Sequence, residues 1–291
     1  ISKITTSIKN NDILKLRSLS KIERDNYILQ ILNFLELDIK KSGKDYYPIW
    51  ERGWEENLNS FLENHTKESL VPKYIRKKLP IRIHGDLYMP INDGFELGLL
   101  NLIKENLFSR YLKEKKNIIE FGCGTGHHLL HCAEKLGTDV KYFGLDWSKN
   151  SNKLVNEIAS VYNLPIHGIK FDMFKPNYNE LDNFNIEDLG IFTIGAFEQL
   201  GLEWHEIKKY IFSLKPKVVI HLEPTIELYN NTNLIDKLAI SYHKKKLWLD
   251  GYINSLKIDE ANKKIEILEQ CRTFGSFYHE AYTLTVWRPK L

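Results

Sequence analysis

Cysteine is scarce in this sequence: Cys123, Cys132 and Cys271 are the only three among 291 residues. An odd number without a CxxC spacing builds neither a disulfide framework nor a zinc ligand set, and free thiols in a reducing compartment are expected. No apolar run approaches the ~20 residues that cross a bilayer, so no membrane partner is expected. Charge of one sign is also missing. Lys and Arg total 41 against 38 Asp and Glu, a net charge of +3, which makes no electrostatic case for a nucleic-acid partner. The start lacks a basic segment followed by an apolar core, so a cytoplasmic location is expected. The first residue is Ile rather than Met, which leaves open a cut from a longer polypeptide. No His, Asp and Glu residues stand at metal-ligand spacing, and a metal-independent protein is expected.

What the chain has is a high aromatic content, 12%, and a change of rhythm along its length. Residues 1–40 carry helical spacing in two runs: Ile13, Leu14, Leu16, Leu19 and Ile22, then Ile28 to Leu35. Ser20 and Glu23 have the spacing of a capping box opening the second. Residues 44–57 are dense in aromatics and carboxylates, and 58–80 read as polar and weakly helical, ending in the basic stretch 73–78. Pro80 and Pro90 bracket a short extended segment containing His84 and Tyr88. Residues 93–113, with Phe95 near the start, read as an amphipathic helix.

After residue 116, short β-branched runs alternate with helical stretches, the pattern of βαβ units and a parallel sheet. Strands are predicted at 117–121, 141–146, 166–171, 189–194 and 218–222, with helices at 126–136, 149–162, 203–213 and 227–248. Two late strands, 264–270 and 282–287, predict an antiparallel hairpin at the sheet edge.

The sharpest feature is Glu120-Phe-Gly122-Cys123-Gly124-Thr-Gly126, between a predicted strand and a predicted helix. Glycines there let a ligand approach the backbone. Asp146 ends the next strand, 20 residues beyond Gly126, where a carboxylate can hold a ribose diol. A dinucleotide site needs Gly-x-Gly-x-x-Gly, with the third glycine one place later; here position 127 is His. Glu120 beside a pyrophosphate is unfavourable, whereas beside the cationic methionine end of S-adenosylmethionine (SAM) it is favourable.

Over residues 92–291 the chain resembles the class I SAM-dependent methyltransferases. The resemblance lies in residues 120–126, Gly144–Ser148, Phe171–Phe174 and Gly195–Gln199. It implies an α/β fold with a Rossmann-like seven-stranded sheet, mostly parallel with an antiparallel last hairpin; the preceding residues, 1–91, are expected to form a helical N-terminal cap. It implies SAM as cofactor and S-adenosylhomocysteine (SAH) as product. It further implies that Glu120 and the loop at Gly122, Cys123, Gly124 and Gly126 hold the methionine part, and Asp146 the ribose. Trp147 would lie on the adenine, Asp172 take its amino group, Met173 pack on the ring, and Ala196 border the methyl group. Independently, these positions all follow strand ends, where open α/β sheets bind ligands. Competing readings are a helix cap for Asp172 and a core aromatic for Trp147.

Candidate bases for methyl transfer are Glu198, Glu223, His221 and His279; the last adjoins Glu280, and His84 is a further histidine near the site. His221 alternates with apolar residues and reads equally as a core histidine, while Glu223 has the better position for substrate contact. His279 reads equally as part of a turn. His127 and His128 are placed either at the SAM carboxylate or on a helix surface. Candidate acceptor contacts are Gln199, Tyr88, Phe95, Trp50 and Trp54, with Tyr46, Tyr47, Glu55 and Glu56 in the same aromatic-acidic segment; packing of the cap onto the core is the alternative use of that segment. The missing Asn/Asp-Pro-Pro-Tyr/Phe tetrapeptide after the fourth strand argues against exocyclic amines of bases and glutamine amides, and the lack of a cysteine there against cytosine C5. The expected reaction is O- or N-methylation of a small molecule, sugar or peptide side chain in a biosynthetic pathway. The alternatives are a protein or RNA acceptor, a silent SAM-binding module and, most remote, a nicotinamide oxidoreductase.

Overall fold

A computed structural model describes residues 14–73, 75 and 79–290. Chain order begins with β1 (Leu16–Ser18), α1 (Lys21–Glu36), α2 (Tyr47–Asn64), β2 (Ile81–Ile83), β3 (Asp86–Pro90) and α3 (Phe95–Leu107). The predicted first helix is corrected here. Leu16–Ser18 pairs antiparallel with β3, and β3 pairs with β2, giving a three-stranded sheet in the order β1-β3-β2. Ile13 lies outside the described residues. Three residues, Leu-Arg-Ser, are too short to declare a period, and pairing with a ready hairpin makes them a strand. The extended segment 81–89 is itself that hairpin, turning at His84 and Gly85, both at positive φ. Helix α1 opens on the expected capping box: the Glu23 amide donates to Ser20 Oγ at 3.2 Å, and the Ser20 amide to Glu23 Oε2 at 2.8 Å.

Residues 58–73 are more ordered than their polarity suggests. Helix α2 runs through to Asn64, burying Trp54, Leu58 and Phe61. Leu58, Phe61, Leu70 and Ile81 share one core with Leu99, Ile118 and Phe192, so the N-terminal region is packed onto the sheet that follows.

That sheet is built from β4 (Asn117–Phe121), β5 (Lys141–Asp146), β6 (Ile166–Lys170), β7 (Leu189–Ile194), β8 (Val218–Leu222), β9 (Ile265–Cys271) and β10 (Leu284–Pro289). Its order is β6-β5-β4-β7-β8-β10-β9. The first five strands are parallel, and β10 runs antiparallel to both β8 and β9. Strands β4, β7 and β8 are buried along their whole length, as a sheet covered on both faces requires. Successive residues feed opposite layers: Ile118 joins one core, Ile119 the other.

The connecting helices are α4 (His127–Leu136), α5 (Lys149–Tyr162), α6 (His205–Ser213), α7 (Leu234–Lys246) and α8 (Tyr252–Ala261). The single helix expected over 227–248 is shorter, starting where Asn233 caps the Asp236 amide at 3.0 Å and ending at left-handed Leu247. Helix α8 follows Gly251, at φ 79°, and was not expected.

Candidate active site

The site forms where β4, β5 and β7 end. Gly122, Gly124 and Gly126 all take positive φ, at 68°, 52° and 72°. A Cβ on Gly122 would stand 2.4 Å from that of Ala196, and one on Gly124 would stand 2.9 Å from the Trp54 indole. Glycine is therefore required twice over, by conformation and by close approach.

Asp146 closes this loop onto β5. Its Oδ2 accepts the Gly124 amide and its Oδ1 the Ser148 amide, both at 2.9 Å. Burial raises this carboxyl to about 6, against the pull of those amides. Glu120, on β4, is buried, and neither carboxylate oxygen has a hydrogen-bond partner. Burial pushes it well above the usual carboxylate range, opposed by the Lys104 ammonium and by a Leu129 amide that falls short of hydrogen-bond geometry. Lys104, itself fully buried and lowered to about 8 by burial, contacts His128 Nδ1 at 3.0 Å. Thr125 Oγ1 and His127 Nε2 are likewise buried without partners. His127 and His128 therefore face inward rather than lying on a helix surface, and burial holds both neutral.

A cleft is lined by the glycine loop from Gly122 to Thr125, His127, His128, Asp146, Trp147, Met173, Ala196 and the inward face of α2, while Glu120 and Lys104 are not among its lining residues. Tyr47 stacks on Trp147 with centroids 3.8 Å apart and planes 5° apart. Asp172 Oδ1 accepts the Phe174 amide at 2.9 Å and the Tyr47 hydroxyl at 3.3 Å. Trp50 and Trp54 stack at 5.4 Å and complete the roof.

A second cavity adjoins the first. Trp50, Ile194, Gly195 and Gln199 line both. Its wall adds Glu198 and His279 from the predicted residues, together with Glu96, Lys246, Trp248, Tyr278 and Tyr282. These last five come from α3, the end of α7 and the β9–β10 connection. Only the aromatic density of 277–282 hinted at them in the sequence.

The candidate bases separate. Glu198 faces the second cavity and is raised to about 8 by burial and by Glu223. His279 lines the same cavity, with Nδ1 3.2 Å from His243 Nε2, and burial and the neighbouring His243 keep it neutral. Of the two readings of His221, the core one is observed: Nδ1 meets Thr193 Oγ1 and Nε2 meets the Tyr252 hydroxyl, each at 2.9 Å, and burial lowers it to about 3. Glu223 does not face the acceptor side. It is buried, and its carboxylate accepts the amides of Ala196 at 3.1 Å and Glu198 at 3.4 Å, pinning the turn after β7. Phe95 is packed in the core, and Tyr88 sits on β3 opposite Ile81; neither lines either cavity, although Ile81 itself lines the second. His84 occupies the hairpin turn.

Residues 112–186 match the family model described as a methyltransferase domain. No curated protein matches the chain. Among solved structures, magnesium protoporphyrin IX methyltransferase from Synechocystis with bound SAH is similar at 13% identity and a TM-score of 0.49, over 67% of this chain and 84% of that one. A SAM-dependent methyltransferase from Anabaena variabilis is 16% identical, covering 87% of this chain and 99% of that one with a TM-score of 0.46. A SAH-bound methyltransferase from Podospora anserina is 14% identical, covering 95% and 100% with a TM-score of 0.46. The matched segment begins just before β4 and carries the whole glycine loop and Asp146, and β10 is inserted antiparallel between β8 and β9, so residues 112–186 are similar to a methyltransferase domain set in a seven-stranded α/β sheet.

Proposed function

We propose that this enzyme methylates an oxygen or nitrogen of a small molecule, held in the second cavity, as a step of a biosynthetic pathway in the cytoplasm. The observation that carries the reading is the junction: two cavities share Trp50, Ile194, Gly195 and Gln199, so a donor in one meets an acceptor in the other.

The first cleft fits SAM by its unsatisfied groups. Glu120 brings two partnerless carboxylate oxygens to the glycine loop, where an ammonium would meet them. Thr125 Oγ1 and His127 Nε2 offer hydrogen bonds to the amino-acid carboxylate. Asp146 would take the ribose hydroxyls, Asp172 the adenine amino group, and Trp147 and Met173 the ring faces. Ala196, against Gly122, would border the reacting methyl. SAM supplies a methyl group on a positively charged sulfur.

The chain's own part is placement, water exclusion and proton transfer. Trp50 at the junction and Trp54 stacked on it would roof the cofactor cleft and keep solvent from the reacting atoms. Glu223 fixes the turn that carries Ala196 and Glu198. Glu198, raised to about 8 and exposed to the acceptor side, is matched in proton affinity to accept a proton near neutral pH. The region before residue 92 would act as a cap completing the acceptor pocket.

Incubation with radiolabelled methyl-SAM and a cell extract, followed by size separation, tests the acceptor class. Label in the fraction below protein and RNA size is expected. Label retained on protein or RNA would transfer the reading to a macromolecular acceptor.

A further inference from the structure

The second cavity states what kind of acceptor it takes. Gln199 stands at its junction with the SAM cleft, and the adjacent Glu198 lines only the second cavity. Gln199 Nε2 donates to Glu198 Oε1 at 3.0 Å, while Gln199 Oε1 is buried with no partner. Gln199 Oε1 and the Glu198 carboxyl therefore present acceptor atoms beside the Trp50 indole. Deeper in, Glu96 lies on the wall with its Oε1 taking the Tyr282 hydroxyl at 3.0 Å. Lys246, the one Lys or Arg among the described lining residues, is already engaged: it donates to the Tyr46 hydroxyl at 2.8 Å and the Lys40 carbonyl at 3.2 Å, and lies over the Tyr46 ring at 5.0 Å. His279 is neutral. Aromatic faces make up much of the rest, among them Trp50, Trp248, Tyr242 and Phe277.

We propose that the acceptor is a small molecule presenting a protonated amine beside an apolar ring, its ammonium held by Glu198 and Gln199 Oε1 and its body by the aromatic wall. This rests on the methyltransferase reading above. An ammonium brings several donors to two acceptors and a positive charge to the cavity's carboxyls and ring faces, whereas a hydroxyl brings one donor and no charge. An anionic acceptor meets two carboxyls and a lysine already in use.

The step balances as follows. Glu198 takes one N–H proton from the ammonium, which frees the nitrogen lone pair. The nitrogen forms a bond to the methyl carbon as that carbon's bond to sulfur breaks, and the electron pair stays on sulfur. Burial, and Glu223 behind it, make Glu198 a strong enough base for this; Lys246 works against it. An arriving ammonium favours ionised Glu198, so binding releases a proton.

The test loads the full-length protein with SAH, confirms loading by calorimetry, and titrates three probes of one shape at pH 7.5: tyramine, neutral 4-ethylphenol and anionic 3-(4-hydroxyphenyl)propanoate. Tyramine is expected to bind at least 10-fold tighter than either analogue, with a heat that changes between phosphate and Tris buffers as a proton is released. In Glu198→Gln, with circular dichroism and SAH affinity unchanged, that preference is expected to vanish. Failure to load SAH would overturn the methyltransferase reading itself. SAH loading with tyramine no tighter than its analogues, or with none of the three binding, would overturn the amine alone, as would a preference that survives in Glu198→Gln. If that variant does not fold, absence of proton release in the parent protein overturns it.

Discussion

Glu120 brings two carboxylate oxygens into a buried space where no donor meets them, and an unpaired buried carboxylate is costly unless something arrives to pair with it. An ammonium at this point makes a charged hydrogen bond of about 1.5–3 kcal/mol. Replacing Glu120 by Gln is therefore expected to weaken SAM affinity by roughly 10- to 100-fold, measured by calorimetry, with the fold retained. Glu198 carries a second prediction. Its carboxyl is raised to about 8 in the folded protein from an ordinary value near 4.5. Across that window the folded state holds the proton that the unfolded state has released, so this residue's contribution to stability is full at low pH and lost as pH rises towards 8. Glu198→Gln removes that loss. The melting temperature of the variant relative to the parent should rise between pH 5 and pH 8; a difference independent of pH would contradict the assignment. Glu223, by contrast, acts through the amides it holds. Glu223→Ala leaves them unsatisfied, and a stability loss of about 1–3 kcal/mol by denaturant unfolding is expected. Much of this scale was legible. The glycine loop, Glu120 and Asp146 announce themselves because close approach of ligand to backbone admits few residue types. The opposite facings of Glu198 and Glu223 were hidden: both follow strand ends, and only the turn after β7 decides which carboxyl points to the cavity.

At the scale of elements, the roof over the cofactor cleft is α2. Tyr47 lies flat on Trp147, and Trp54 presses on Gly124. The floor is the glycine turn, where Gly122 faces Ala196 so closely that a methyl side chain cannot enter without moving one backbone against the other. Gly122→Ala is accordingly expected to cost SAM at least 10-fold in affinity, and Gly137→Ala, at a positive-φ position where an added Cβ meets no atom within 4 Å, to leave it unchanged. Equal loss in both, by calorimetry, would mean that general strain and not the approach to Ala196 is responsible. The parallel strands were readable to within a residue, since buried strands are continuous β-branched and aromatic runs. β1 was not, because three residues carry too little periodicity to separate a strand from a helical turn. α8 was missed because its start depends on left-handed Gly251 rather than on a side-chain cap.

The whole molecule joins distant parts of the chain around one junction. The second cavity draws on Phe34, Trp50, Glu96, Glu198, Lys246 and Tyr278, which no local sequence pattern links. Arg82 ties the N-terminal hairpin to the C-terminal half, pairing its backbone with Gly275 at 3.0 and 2.9 Å and donating from its side chain to the Ile235 and Phe277 carbonyls. Such contacts come from chain topology, which is why the cofactor side of the site could be read from sequence and the acceptor side could not. The most direct test of the central claim is calorimetric titration of the parent protein and Asp146→Ala with SAM, SAH and NAD. Binding of SAM and SAH to the parent, at least 10-fold weaker in Asp146→Ala, with no heat from NAD, is the predicted result. A folded parent protein that binds NAD, or that binds SAM equally well without the Asp146 carboxylate, would contradict the site described here.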